Sequence, residues 1–133
     1  MATFALDELG IHPESELSIV LVDEETMAAY HVKWMDLPGP TDVLSFPMDE
    51  MRRPSEGEEP VPGMLGDIVL CPVVTARQAA ENGRTADEEA EYLLIHGILH
   101  LLGYDHAEPG EKAVMFGLND KIIEQWQMRR TQQ

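Results

Sequence analysis

One eleven-residue stretch limits this chain more than any other: His96-Gly97-Ile98-Leu99-His100-Leu101-Leu102-Gly103-Tyr104-Asp105-His106, which holds three of its five histidines. Four residues of α-helix turn through about 400° and rise about 6 Å, so His96 and His100 point the same way. A third ligand further along the same helix would not converge with them. Gly103 removes that obstacle, because glycine adopts the left-handed conformation that ends a helix and turns the chain back. His106 then closes a facial set of three imidazoles. The expectation is one metal ion on His96, His100 and His106, at the C-terminal end of a central helix.

Three neutral imidazoles make a borderline-soft, incomplete tetrahedron that suits Zn2+, although nickel, copper or iron fit the same nitrogens. A structural zinc site is normally closed by four protein ligands. A three-ligand site leaves a place for water, whose pKa the ion lowers toward neutrality. Asp105 is placed to orient an imidazole or to accept a proton. Cys71, the only cysteine, lies far away in sequence and reads as a small buried hydrophobe. The general acid and any other catalytic group stay unassigned.

Charge sets the next limit. Nine Lys and Arg face 25 Asp and Glu, a formal charge of -16, which argues against broad electrostatic adhesion to nucleic acid or anionic lipid. A small local cationic site is still allowed. Hydrophobic residues at 44% and charged residues at 26% are ordinary for a globular fold, and 133 residues make one domain, 1–133, with a core of its own. One cysteine forms no intrachain disulfide and suits a reducing cytoplasm. The first residues lack a basic stretch and acids interrupt their apolar run, so no signal peptide is read there. No apolar run approaches the ~18 residues of a membrane span.

Patterning supplies the elements. Leu17 to Val22 is apolar at most positions and reads as a largely buried strand. Asp23 offers an N-cap, and a helix follows to about Trp34, with Met27, Tyr30 and Trp34 on one stripe, until Pro38-Gly39-Pro40 breaks the chain. Val43 to Phe46 is a short strand closed by Pro47. Asp49 to Gly63, rich in Glu, Pro and Gly, reads as a mobile surface loop. Ile68 to Cys71 is a third strand, entered through a turn at Gly66-Asp67. Pro72 opens a helix that Gly83 stops, and Thr85 with Glu88 forms a capping box for the histidine-bearing helix. Leu94, Ile98, Leu101 and Leu102 seat that helix on the core. A last helix runs from about Gly110 to Met128, with Met115, Leu118, Ile122 and Trp126 on its apolar stripe. The fold class is α+β: one small mixed sheet of three to four strands with about five helices packed around it.

The histidine spacing matches the zinc-protease signature H-E-x-x-H-x-x-G-x-x-H at all three histidines and the glycine. Gly97 stands where those enzymes carry their glutamate base, which argues against peptide hydrolysis. A phosphodiester asks more for charge neutralisation, which a metal supplies. The eleven residues, together with Thr41-Asp42-Val43-Leu44-Ser45-Phe46-Pro47 and Leu65-Gly66-Asp67-Ile68, resemble the signatures of the YbeY family of bacterial endoribonucleases and rRNA maturation factors. The likeness spans about Leu17 to Trp126 in the same order. It implies a cytoplasmic, single-strand-specific, zinc-dependent endoribonuclease that matures the 3′ end of small-subunit rRNA and serves ribosome quality control. RNA, the small ribosomal subunit and assembly factors are the implied partners, with no DNA and no membrane, and His96, His100 and His106 the implied zinc ligands.

Two departures accompany the likeness. The place of a family arginine thought to contact phosphate falls on Met35, leaving Lys33, Arg52, Arg53 and Arg77 as nearby cations with no role assigned. Family members usually have another strand and the beginning of a helix before the segment matching Phe4 to Gly10; the expectation here is a shortened N-terminus without that piece, a sheet lacking one strand and an uncovered edge. Two other classes compete with the nuclease: a zinc-stabilised ribosome-assembly binding module, and a metal-dependent hydrolase of another substrate.

Overall fold

The computed structural model describes residues 1–35, 42–49, 51, 53–104 and 108–131. Asp105 and His106, Arg52, Thr41 and the Pro38-Gly39-Pro40 break lie outside the described residues, as does the side chain of Trp34.

Among the described residues, eight elements follow in chain order: α1 (Ala2–Glu8), β1 (Glu16–Leu21), α2 (Glu24–Met35), β2 (Val43–Pro47), β3 (Met64–Leu70), α3 (Pro72–Glu81), α4 (Ala86–Leu101) and α5 (Pro109–Thr131). The strands form one mixed sheet in the order β1-β3-β2, with β1 parallel and β2 antiparallel to β3. Five helices on a three-stranded sheet match the α+β architecture read from the patterning.

Local chemistry sets the boundaries. The Asp23 carboxylate accepts from the Thr26 backbone N–H at 2.8 Å, which caps α2. Thr85 and Glu88 close the capping box of α4 at 2.9 and 3.1 Å. Pro72 occupies the first turn of α3, where its missing N–H is harmless.

Two details correct the sequence reading. β1 is not largely buried: Ile19 and Val20 are each 41% exposed and Leu21 is 64% exposed. An apolar run without alternation looks like an interior strand, yet β1 pairs only with β3 among the described residues and forms a sheet edge. Gly66-Asp67 is no turn either. It lies inside β3, where the pairing jumps from Glu16–Met64 to Leu17–Gly66. Leu65 is the extra residue of this bulge. Gly66 is required because its φ is 137° and a Cβ there would stand 2.1 Å from the Phe46 carbonyl oxygen.

The main core joins α1, β3, α4 and α5 through Phe4, Leu65, Ile68, Ile95, Ile98, Leu99, Met115 and Ile122. A second cluster holds Met27, Leu44, Val69, Cys71 and Val74. Cys71 is fully buried there, as a small hydrophobe should be. Ile98, Leu101 and Leu102 are buried and Leu94 packs beside them, so α4 is anchored through the face that the sequence assigned to the core. Met115 and Ile122 are buried and Leu118 and Trp126 pack against the same cluster, which bears out the α5 stripe. Among the described residues, no helix is long and apolar enough to cross a membrane.

Candidate metal centre and cleft

Residues 92, 96 and 100 form one stripe along α4, each a little more than one turn from the next. The outward positions of this stripe carry Tyr92, His96 and His100, all partly buried. The Nε2 atoms of His96 and His100 lie 3.1 Å apart, with the ring centroids 4.7 Å apart and the planes at 82°. Two nitrogens held about 2.05 Å from one zinc at the tetrahedral angle stand about 3.3 Å apart. The observed pair is within a few tenths of an ångström of that span, so these two donors fit a shared ion. Without an ion, one neutral imidazole donates to the other at the same distance.

α4 ends as the glycine predicts. Gly103 has φ 93°, its N–H donates to the His100 carbonyl at 3.0 Å, and the Tyr104 N–H donates to the Leu99 carbonyl at 3.0 Å. This pair of bonds is a Schellman motif, and it turns the chain back immediately after His100. The third predicted ligand, His106, lies outside the described residues. Among the described residues, no group of three His, Cys, Asp or Glu side chains converges on one point.

His96 is also held from α5. The Phe116 ring stacks on it with centroids 5.8 Å apart and planes at 23°, and the Lys112 ammonium lies 5.7 Å from the Phe116 centroid. Neither α5 residue was singled out in the sequence, because a helix-to-helix contact leaves no mark in local spacing.

A cleft of about 490 Å³ opens beside the histidines. One wall is Asp42, Val43, Leu44, Ser45 and Pro47, at and before β2, and the other is Tyr92, Leu93, His96 and His100 of α4. Gly97 explains how the walls meet. The Ser45 hydroxyl donates to the Gly97 carbonyl at 3.4 Å, and a Cβ on residue 97 would stand 3.1 Å from both Ser45 Oγ and Ile68 Cδ1. The position where zinc proteases carry their base is therefore a packing contact against the sheet.

Among the described residues, the cleft lining includes Asp42 and no lysine or arginine. Of the cations considered from sequence, Arg77 pairs with Glu24 on α2, and neither Lys33 nor Arg53 lines the cleft. A different cation contacts one of its lining residues, Tyr92. The Arg84 guanidinium lies 5.1 Å from the Tyr92 ring centroid, and its Nη1 contacts the buried Glu89 carboxylate at 3.3 Å. Burial raises the Tyr92 phenol above its usual range. Asp120 and Glu89 push the same way and Arg84 opposes them, so the ring stays neutral at physiological pH. Sequence reasoning missed Tyr92, although its place four residues before His96 was a usable signal.

Comparison with known proteins agrees over this whole framework. The family model described as Endoribonuclease YbeY matches residues 1–127. A Cutibacterium acnes protein named Endoribonuclease YbeY is 76% identical over 132 residues, covering 99% of this chain and 85% of that protein. A Streptomyces coelicolor protein of the same name is 57% identical over 133 residues, covering 98% and 81%. The solution structure of Thermotoga maritima TM1509 superposes with a TM-score of 0.65 at 29% identity, over 98% of this chain and 83% of that one. The eleven-residue run, the β2 segment and the bulged β3 thus stand in a chain that belongs to the endoribonuclease YbeY family.

Proposed function

We propose that this chain is a zinc-dependent endoribonuclease that cuts single-stranded RNA in the cytoplasm, acting on the 3′ end of small-subunit rRNA and in ribosome quality control. The observation that carries the reading is the 3.1 Å approach of the His96 and His100 Nε2 atoms at the edge of an open cleft. His106, following the Gly103 reversal, is the third ligand in this reading. Bound there, zinc supplies Lewis acidity to the scissile phosphodiester and lowers the pKa of a water molecule.

The protein's own groups do the rest. Phe116 stacks on the His96 ring and the Schellman turn ends α4 just past His100, so little ordering of this helix end is left for the moment of binding. In this reading the cleft between β2 and α4 takes the RNA strand, and the Ser45–Gly97 contact ties its two walls together. With Asp42 and, among the described residues, no lysine or arginine in the lining, the site would favour a cation over a bare phosphate. Ribosome-bound partners fit a chain with a formal charge of -16, because docking raises the local RNA concentration without intrinsic affinity for RNA.

The test is cleavage of a single-stranded RNA by purified protein, with and without chelator and after zinc is restored. Cleavage that chelation stops and zinc restores is the expected result. Cleavage indifferent to chelation would overturn the metal role, and a folded, zinc-loaded chain that leaves RNA intact would favour the assembly-module reading.

A further inference from the structure

With only nine lysines and arginines against 25 acids, where a cation sits is informative. Arg84 is placed from both sides. It follows Gly83 at the end of α3, where its N–H donates to the Ala79 carbonyl at 2.9 Å, and it precedes the Thr85 cap of α4. Its side chain is 45% exposed, its Nη1 is held by Glu89, and its guanidinium lies over the Tyr92 ring. Tyr92 in turn borders the cleft one helical turn before His96. The Tyr92 carbonyl receives the Asn119 amide at 3.4 Å, which ties this part of α4 to α5.

An aromatic ring bordering a cleft, with a guanidinium stacked on it, is the pairing that single-strand binders use: the ring accepts a base of any sequence and the cation takes the neighbouring phosphate. We propose that Tyr92 and Arg84 form a nucleotide subsite next to the reacting phosphate, with a base stacked on Tyr92 and a backbone phosphate on the Arg84 fork. This rests on the reading of the His96–His100 cleft as a single-stranded RNA site. It assigns a cationic contact to Arg84, whereas Lys33, Arg53 and Arg77 do not line the cleft. The subsite lies about 6 Å along the helix axis from His96, so a strand on Tyr92 passes directly to the histidines. A duplex holds its bases stacked within itself, so the subsite also selects single strands.

The measurement is the affinity of the full chain for a single-stranded RNA oligonucleotide, read in chelator so that nothing is cut, alongside zinc-dependent cleavage of the same RNA. Tyr92→Leu keeps an apolar side chain and removes the ring. It should weaken binding roughly 5- to 150-fold, the span of one base on one aromatic ring, and Tyr92→Phe should bind as the parent does. Arg84→Gln alone would strand the buried Glu89 charge, so it is paired with Glu89→Gln. The double variant should lower the slope of log affinity against log salt by about 0.7, the value of one phosphate contact on a single strand. Folded Tyr92→Leu protein that binds as tightly as the parent, with an unchanged salt slope in the double variant, overturns the subsite. A parent that cleaves while both variants bind normally overturns the subsite alone, and a parent that neither binds nor cleaves RNA overturns the nuclease reading with it.

Discussion

Ser45 and Gly97 meet across the cleft wall. The serine hydroxyl donates to the glycine carbonyl at 3.4 Å, and the missing Cβ of residue 97 is what lets α4 approach β2 and β3 so closely. Gly97→Ala brings two opposed effects. Alanine favours an interior helix position by up to about 1 kcal/mol, and the tight contacts with Ser45 and Ile68 cost a similar amount. The net change in unfolding free energy should lie within about 1 kcal/mol of zero. Gly97→Glu instead forces a carboxylate into a buried position against Ile68, and should cost more than about 3 kcal/mol in denaturant unfolding. It should not create peptidase activity.

Gly103 gives a cleaner prediction. A Cβ there meets nothing within 4 Å, so the cost of Gly103→Ala is conformational only, from φ 93°. About 1–2 kcal/mol of stability should be lost. Zinc uptake should fall by more than that loss explains, because in the proposed three-imidazole site the third ligand depends on the reversal after His100. Zinc titration of folded Gly103→Ala protein checks this, and uptake equal to the parent's would count against the three-imidazole site.

At the other end of the fold, the Thr26 hydroxyl and backbone N–H hold the Asp23 carboxyl below its ordinary range. A lowered folded-state pKa stabilises the protein fully above the unfolded value of about 3.9, and the contribution fades as pH falls through the lower folded value. Asp23→Asn removes that titration. Its stability should therefore vary less with pH than the parent's below about pH 4, as thermal unfolding across acidic buffers would reveal.

Much of this was legible in the sequence, and for identifiable reasons. Caps and stops are local chemistry: Asp23, Pro72, Thr85 with Glu88, and Gly103 each act within a few residues, and each stands where it was read. The His96–His100 pair follows from helix geometry alone, and the structure bears out that the two side chains share one face. The exposure of β1 was hidden because apolar runs do not say whether a strand has one neighbour or two. The bulge at Gly66 was read as a turn because glycine serves both. Contacts between elements left no local trace at all, which is why Phe116 on His96 and Arg84 on Tyr92 emerged only from the packing.

The most direct test replaces one imidazole. In His100→Ala, zinc per chain measured by elemental analysis and the rate of single-stranded RNA cleavage should both collapse, while circular dichroism and the unfolding midpoint stay close to those of the zinc-free parent. A variant that keeps its zinc and its cleavage rate would contradict the account at its centre.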